Sequence, residues 1–177
     1  VHACIHSFHK YILCTNCILG TVLGTGDIAR SKASSLPPEI SQLGQREGHL
    51  EKTITSNQWG NTWTGGVFSY HHYHSNAHET LLVIRGEANL LIGGRNGSTI
   101  NVTAGDVLIL PAGTGHKLLN ASHDFTVMGA YPNGQSFDIC TGDKNNRTQD
   151  IMNIENVPLP ETDPLWGEQG PLLLHWH

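Results

Sequence analysis

Between Glu79 and Leu110 the chain reads ETLLVIRGEANLLIGGRNGSTINVTAGDVLIL. Short aliphatic and β-branched runs alternate there with Gly, Asn and Asp, a texture of strands and turns rather than helices. Two strands fill 79–94 and separate near Arg85–Gly86. The Asn-Gly of RNGS (95–98) predicts a two-residue hairpin turn, because both central positions of that turn take positive φ. TINV (99–102) then pairs back, AGD (104–106) turns, and VLIL (107–110) runs until Pro111 stops it. HKLLN (116–120) and DFTVMGAY (124–131) continue the series, and VFSYHHYH (67–74) reads as a strand before it. Short strands at this spacing predict an all-β sandwich or barrel. The runs 81–84 and 107–110 are apolar at every position, so they need cover on both faces. That second cover would come from the N-terminal segment, the C-terminal segment or a partner subunit.

The length of 177 residues suits one domain with a real core. The expected division is an N-terminal extension over 1–50, a barrel over 51–156 and a Pro-rich strap over 157–177. Pro37 and Pro38 are placed to open a short helix over 38–47. The formal charge is −5 and the basic residues are scattered, which argues against a nucleic-acid partner. No apolar run reaches the roughly 18–20 residues that cross a bilayer, so no membrane partner is expected and the cytoplasm is the expected compartment. YILCTNCILGTVLG (11–24) is open to two readings, a signal-peptide core or a first strand of the domain. Secretion is the minority alternative; the sequons at Asn96, Asn101, Asn120 and Asn146 are explicable by chance in a chain rich in Asn, Ser and Thr. Cys14 and Cys17 form a lone CxxC, either a weak zinc or redox signal or a pair of free thiols in an extension.

The stretch YHHYHSNAHE (70–79) carries four histidines and a glutamate. On a strand His72 and His74 share a face with Phe68 and Tyr70, and His71 points the other way. Glu79 follows across a short turn, and His116 opens a later strand after the Gly113–Gly115 loop. Three imidazoles and one carboxylate on the inside of a barrel form a mixed nitrogen and oxygen donor set. Such a set suits Fe, Mn, Ni, Cu or Zn rather than Ca or Mg. His78 competes with Glu79 as a ligand and is read instead as a supporting or solvated residue. Tyr70 is a candidate catalytic donor or cavity wall, Trp59 and Trp63 cap or pack the barrel, and HWH (175–177) reads as a frayed end.

Two spaced patterns in this chain resemble the paired motifs of the cupin superfamily. Gly66, five residues, His72-x-His74, four residues, Glu79, six residues and Gly86 fit the first. Gly105, five residues, Pro111-x-Gly113, two residues, His116, three residues and Asn120 fit the second. The words WGNTWTGGVFSYHHYHSNAHE, GDVLILPAGTGHK, DFTVMGAYP and VPLPETDP are similar to the YjlB-like group of single-domain cupins, over roughly residues 57–173. The resemblance implies a double-stranded β-helix, or jelly-roll barrel, after a short helical or irregular N-terminal segment. It implies one divalent transition metal held by His72, His74, Glu79 and His116, and a homodimer. Glu79 and Tyr70 are the candidate catalytic residues. Three functions follow from it: an oxygenase-type oxidoreductase on a small oxygenated substrate, a metal-dependent isomerase, epimerase or lyase, and a non-catalytic small-ligand-binding cupin. The fold hosts all three, and the intact ligand set counts against the last.

Overall fold

The apolar runs become the middle of a five-stranded antiparallel sheet. The computed structural model describes residues 29–31 and 46–176. Among these, the elements in chain order are β1 (Ala29–Ser31), α1 (Arg46–Ser56), β2 (Trp59–Gly65), β3 (Glu79–Arg85), β4 (Glu87–Ile92), β5 (Ser98–Thr103), β6 (Val107–Leu110), β7 (His116–Ala121), β8 (Thr126–Pro132), α2 (Arg147–Asn156) and α3 (Leu172–His175). One sheet has the order β1-β6-β3-β8-β2 and the other the order β5-β4-β7. This is the all-β cupin barrel, two antiparallel sheets closed on a shared core. The CxxC, the apolar stretch 11–24 and most of the helix expected over 38–47 lie outside the described residues.

The alternation of side chains along a strand gives the larger sheet two buried faces. Leu81, Val83, Leu108, Leu110 and Val127 point inward and meet Ala88, Leu90, Ile92 and Val102 of the smaller sheet. Leu82, Ile84, Val107, Ile109, Met128 and Ala130 point outward and meet Leu50 and Ile54 of α1, Trp59, Leu165 and Leu172. The second cover therefore comes from the chain itself, and these strands no longer call for a partner subunit. Two residues hold the C-terminal cover down. Trp59 donates its indole N–H to the Thr162 carbonyl at 2.9 Å. The fully buried Asp163 carboxylate accepts the amides of Leu165, Trp166 and Leu172.

Three local expectations change. The segment 67–74 is not a strand, because its backbone bonds go to different partners. Phe68 accepts from Leu118, His72 exchanges two bonds with His116, Tyr73 exchanges two with Cys140, and His74 accepts from Gly113. The hairpin between β4 and β5 exists, but Ile92 pairs with Ser98 and leaves a longer turn than two residues. Positive φ falls on Gly93 and Gly94. Gly97 is needed instead for close approach, since a Cβ there would collide with the Ile92 carbonyl. α1 and α2 had no strong periodic signal: α1 buries only Leu50 and Ile54 of its apolar positions, and α2 buries only Asp150.

Leu172 is completely buried in the cluster on the outer face of the larger sheet, and its loss tests whether the C-terminal cover is part of the folding unit. Leu172→Ala is expected to destabilise the fold by about 2–5 kcal/mol. Guanidinium denaturation checks this through a lowered midpoint at unchanged slope.

Candidate metal centre

Four side chains from three parts of the chain meet at the inner end of the barrel. The bridge between His72 and His116 sets those residues opposite each other. His74 lies two residues further on, Glu79 opens β3 opposite Leu110, and His116 opens β7. Gly113, at φ 82°, turns the chain after Pro111 so that β7 starts with His116 facing inward. All four are buried, none more than 5% exposed.

Each imidazole has its Nδ1 against a main-chain carbonyl: His72 to Tyr70 at 3.2 Å, His74 to Asp138, and His116 to Thr114 at 3.0 Å. A carbonyl only accepts, so Nδ1 carries the proton and Nε2 presents a lone pair. The three histidines bring ligand atoms within 4.8 Å of one another. Glu79 Oε2 lies 3.4 Å from Nε2 of His74 and 3.3 Å from Nε2 of His116. Oε2 is buried and has no hydrogen-bond donor. Three imidazole nitrogens thus converge, and a carboxylate oxygen lies beside two of them, in a buried site. Such a set is satisfied by a cation. The three imidazoles could hold a metal ion, and Glu79 lies beside two of them.

The same convergence favours a proton between carboxylate and imidazole as it favours a cation. Burial alone would raise the Glu79 pKa, but His116 and His74 outweigh it and hold the carboxyl well below the usual range. Burial pulls His74 down, and the carboxylate of Glu79 and the carbonyl of Asp138 more than reverse it, so His74 is raised. Burial and the facing His116 push His72 down to about 4.

Tyr131 and Asp138 complete the site, and neither stood out in the sequence. Tyr131 donates its hydroxyl to Glu79 Oε1 at 2.8 Å and accepts the indole N–H of Trp63 at 2.8 Å. Asp138 gives its carbonyl to His74, while its carboxylate accepts the Ser75 amide at 2.6 Å. The only hint of Tyr131 was its alternation with Val127 and Gly129 along β8; Asp138 lies in an irregular stretch that carries no periodic signal. The Tyr70 side chain stands apart. It is 47% exposed and stacks on Phe68, and it is its main-chain carbonyl that reaches His72. Trp59 belongs to the opposite core, whereas Trp63 lines the cavity.

A cavity of about 260 Å³ opens onto the four residues. Its walls are Trp63, Val67, Phe68, Leu81, Phe137 and Ile139, and no Lys or Arg lines it among the described residues. Arg85 is on the surface beside Glu47 at 3.3 Å.

His78 is neither a member of this group nor solvated. It is buried, its Nδ1 accepts the Ala112 amide at 3.0 Å, and its ring meets Trp176 at 4.8 Å between centroids. Trp176 is accordingly docked rather than frayed, and His177 lies outside the described residues. Burial pushes His78 down to about 4, below its ordinary 6.5. The unfolded chain therefore binds a proton that the folded chain refuses, and stability falls as pH drops from 6.5 towards 4. His78→Gln is expected to flatten that part of the pH profile, as read from urea midpoints at pH values on either side of about 6.5.

A family model for the cupin domain matches residues 61–128. The uncharacterized protein YjlB of Bacillus subtilis is 46% identical over 129 residues, which cover 73% of this chain and 78% of that protein. Two solved structures are more distant. Acireductone dioxygenase from Bacillus anthracis with cadmium ion in active center is 14% identical, with 62% of this chain and 79% of that chain covered and a TM-score of 0.39. Procruciferin, the 11S globulin from Brassica napus, is 23% identical over 45% of this chain, with a TM-score of 0.38, and this chain spans 21% of its length. Likenesses at these scores carry no argument about chemistry. The motifs, the barrel and the bacterial relative together place the chain: it belongs to the cupin superfamily, in the YjlB-like group.

Proposed function

We propose that this cupin is a metal-dependent oxidoreductase of the oxygenase type, acting on a small, uncharged, largely apolar molecule that carries oxygen ligands. One observation carries the choice among the three readings. Beyond the four candidate ligands, the only titratable side chain lining the cavity among the described residues is Tyr131. Its hydroxyl is committed to Glu79 on one side and to Trp63 on the other. An isomerase, epimerase or lyase removes a carbon-bound proton and returns one, which calls for a free acid or base within reach of the substrate. The cavity offers none.

A bound Fe, Mn, Ni or Cu ion supplies both Lewis acidity and redox capacity, whereas Zn supplies the first alone. The protein contributes the rest. His72, His74 and His116 present fixed Nε2 lone pairs, Glu79 adds one negative charge, and the apolar walls exclude water from the site. The absence of a lining Lys or Arg among the described residues disfavours phosphorylated or polyanionic substrates. A convergent, buried donor set also counts against a purely storage or passive binding role. A cytoplasmic location and, through the family likeness, a homodimer remain part of this reading; light scattering that finds a monomer removes the second.

Elemental analysis of tag-free protein is expected to find about one Fe, Mn, Ni, Cu or Zn ion per chain. His74→Ala and His116→Ala are each expected to lose it. Full occupancy in those variants sinks the ligand assignment. Fe, Mn, Ni or Cu with substrate-dependent oxygen uptake supports the oxygenase reading. Zn without oxygen uptake shifts it to the isomerase and lyase class.

A further inference from the structure

β2 and β8 pair so that Trp63 lies directly across from Gly129, two residues before Tyr131. The glycine is there for space, since a Cβ on Gly129 would collide with the Trp63 indole. The indole lies over the bare backbone and reaches the Tyr131 oxygen at 2.8 Å. Phe137 stacks on the other ring, with centroids 4.4 Å apart and planes 21° from parallel. Tyr131 is thus fixed in position and, through hydrogen-bond polarity, in direction. An indole N–H can only donate, so it occupies a lone pair of the phenol oxygen. The single phenol proton is then left for Glu79 Oε1, 2.8 Å away.

We propose that Tyr131, oriented by Trp63, is a positioning residue that restricts Glu79 to one donor oxygen at the metal centre. Resting on the metal reading above, this assigns a job to each carboxylate oxygen: Oε1 is held by the phenol, and Oε2 alone faces the imidazoles of His74 and His116. A carboxylate held by one oxygen cannot swing to offer both or leave to carry a proton. Glu79 is then a fixed ligand rather than a mobile base, which is consistent with a cavity that has no free acid–base group. A single donor oxygen from Glu79 would leave more positions on a bound ion for substrate.

The test is cobalt(II) titration of the metal-free protein, followed by its visible absorption, for the parent chain, Tyr131→Phe and Trp63→Phe. Phe at 131 keeps the ring on Phe137 and removes only the hydroxyl. It is expected to weaken cobalt binding ~10–100-fold, as loss of a ligand's supporting hydrogen bond does. The visible band is expected to change in intensity as the second carboxylate oxygen joins the ion. Trp63→Phe keeps the hydroxyl but frees its direction, and a change of the same sign and smaller size is expected. If Tyr131→Phe fails to fold, Trp63→Phe alone decides by the same readouts. Parent-like affinity and spectrum in the variants overturn the inference and leave the metal reading standing. A lower melting temperature of the metal-free variant with an unchanged cobalt spectrum overturns it too, reducing Tyr131 to packing. A parent chain that takes up no cobalt overturns the metal reading and this inference together.

Discussion

Three hydrogen bonds from imidazole N–H groups to main-chain carbonyls organise the centre of this protein. Each fixes a tautomer and leaves Nε2 free to converge on the other imidazoles, with Nε2 of His74 and His116 beside the Glu79 carboxylate. The carbonyls belong to Tyr70, Asp138 and Thr114, in three separate loops. Those loops must hold their conformations for the lone pairs to converge, and the rest of the fold supplies that rigidity. The bridge of His72 to His116 ties two of them, and the exchange between Tyr73 and Cys140 ties the third. A buried carboxylate among imidazoles calls for positive charge, a metal ion or a proton shared with His74. The three imidazoles are therefore arranged as residues that could hold a metal ion.

The larger sheet can hold such a site because both of its faces are dry. The inner face builds the barrel interior with Leu81, Val83, Leu108 and Val127. The outer face is covered by α1, Trp59 and the segment carrying Leu165 and Leu172. This leaves the cavity end of the barrel for function, with apolar walls from β2, from the irregular segment after it, and from Phe137 and Ile139. The residues 135–140 serve both sides of the site. Phe137 faces the cavity and stacks on Tyr131, while Asp138 seats His74 and clamps Ser75. The cavity wall and the seating of His74 are thus linked through the adjacent residues Phe137 and Asp138.

Much of this was legible in the chain. Alternation and turn residues marked β3 to β8 within a residue or two. The doubly apolar runs announced two-sided burial. The spacing of His72, His74, Glu79 and His116 picked out the four residues that the fold brings together. Other features left no local trace. α1 places only two aliphatic residues in the core, so its amphipathic pattern is too sparse to read. The segment 67–74 has strand-like composition, but its backbone is divided among partners far away in sequence. Tyr70 and Tyr131 are both tyrosines beside plausible strand patterns; which of them meets the carboxylate depends on strand pairing across 52 residues.

By itself, the sequence determined the all-β class, the strand order of elements along the chain and the donor types, because periodicity and side-chain chemistry are local properties. Only the tertiary structure decided the partners. It set Trp63 against Gly129, Tyr131 against Glu79, the Asp138 carbonyl against His74 and Leu172 against the outer sheet face. Each of these pairs joins residues from distant parts of the chain, and hydrogen-bond direction and steric fit between them exist only once the sheets have closed.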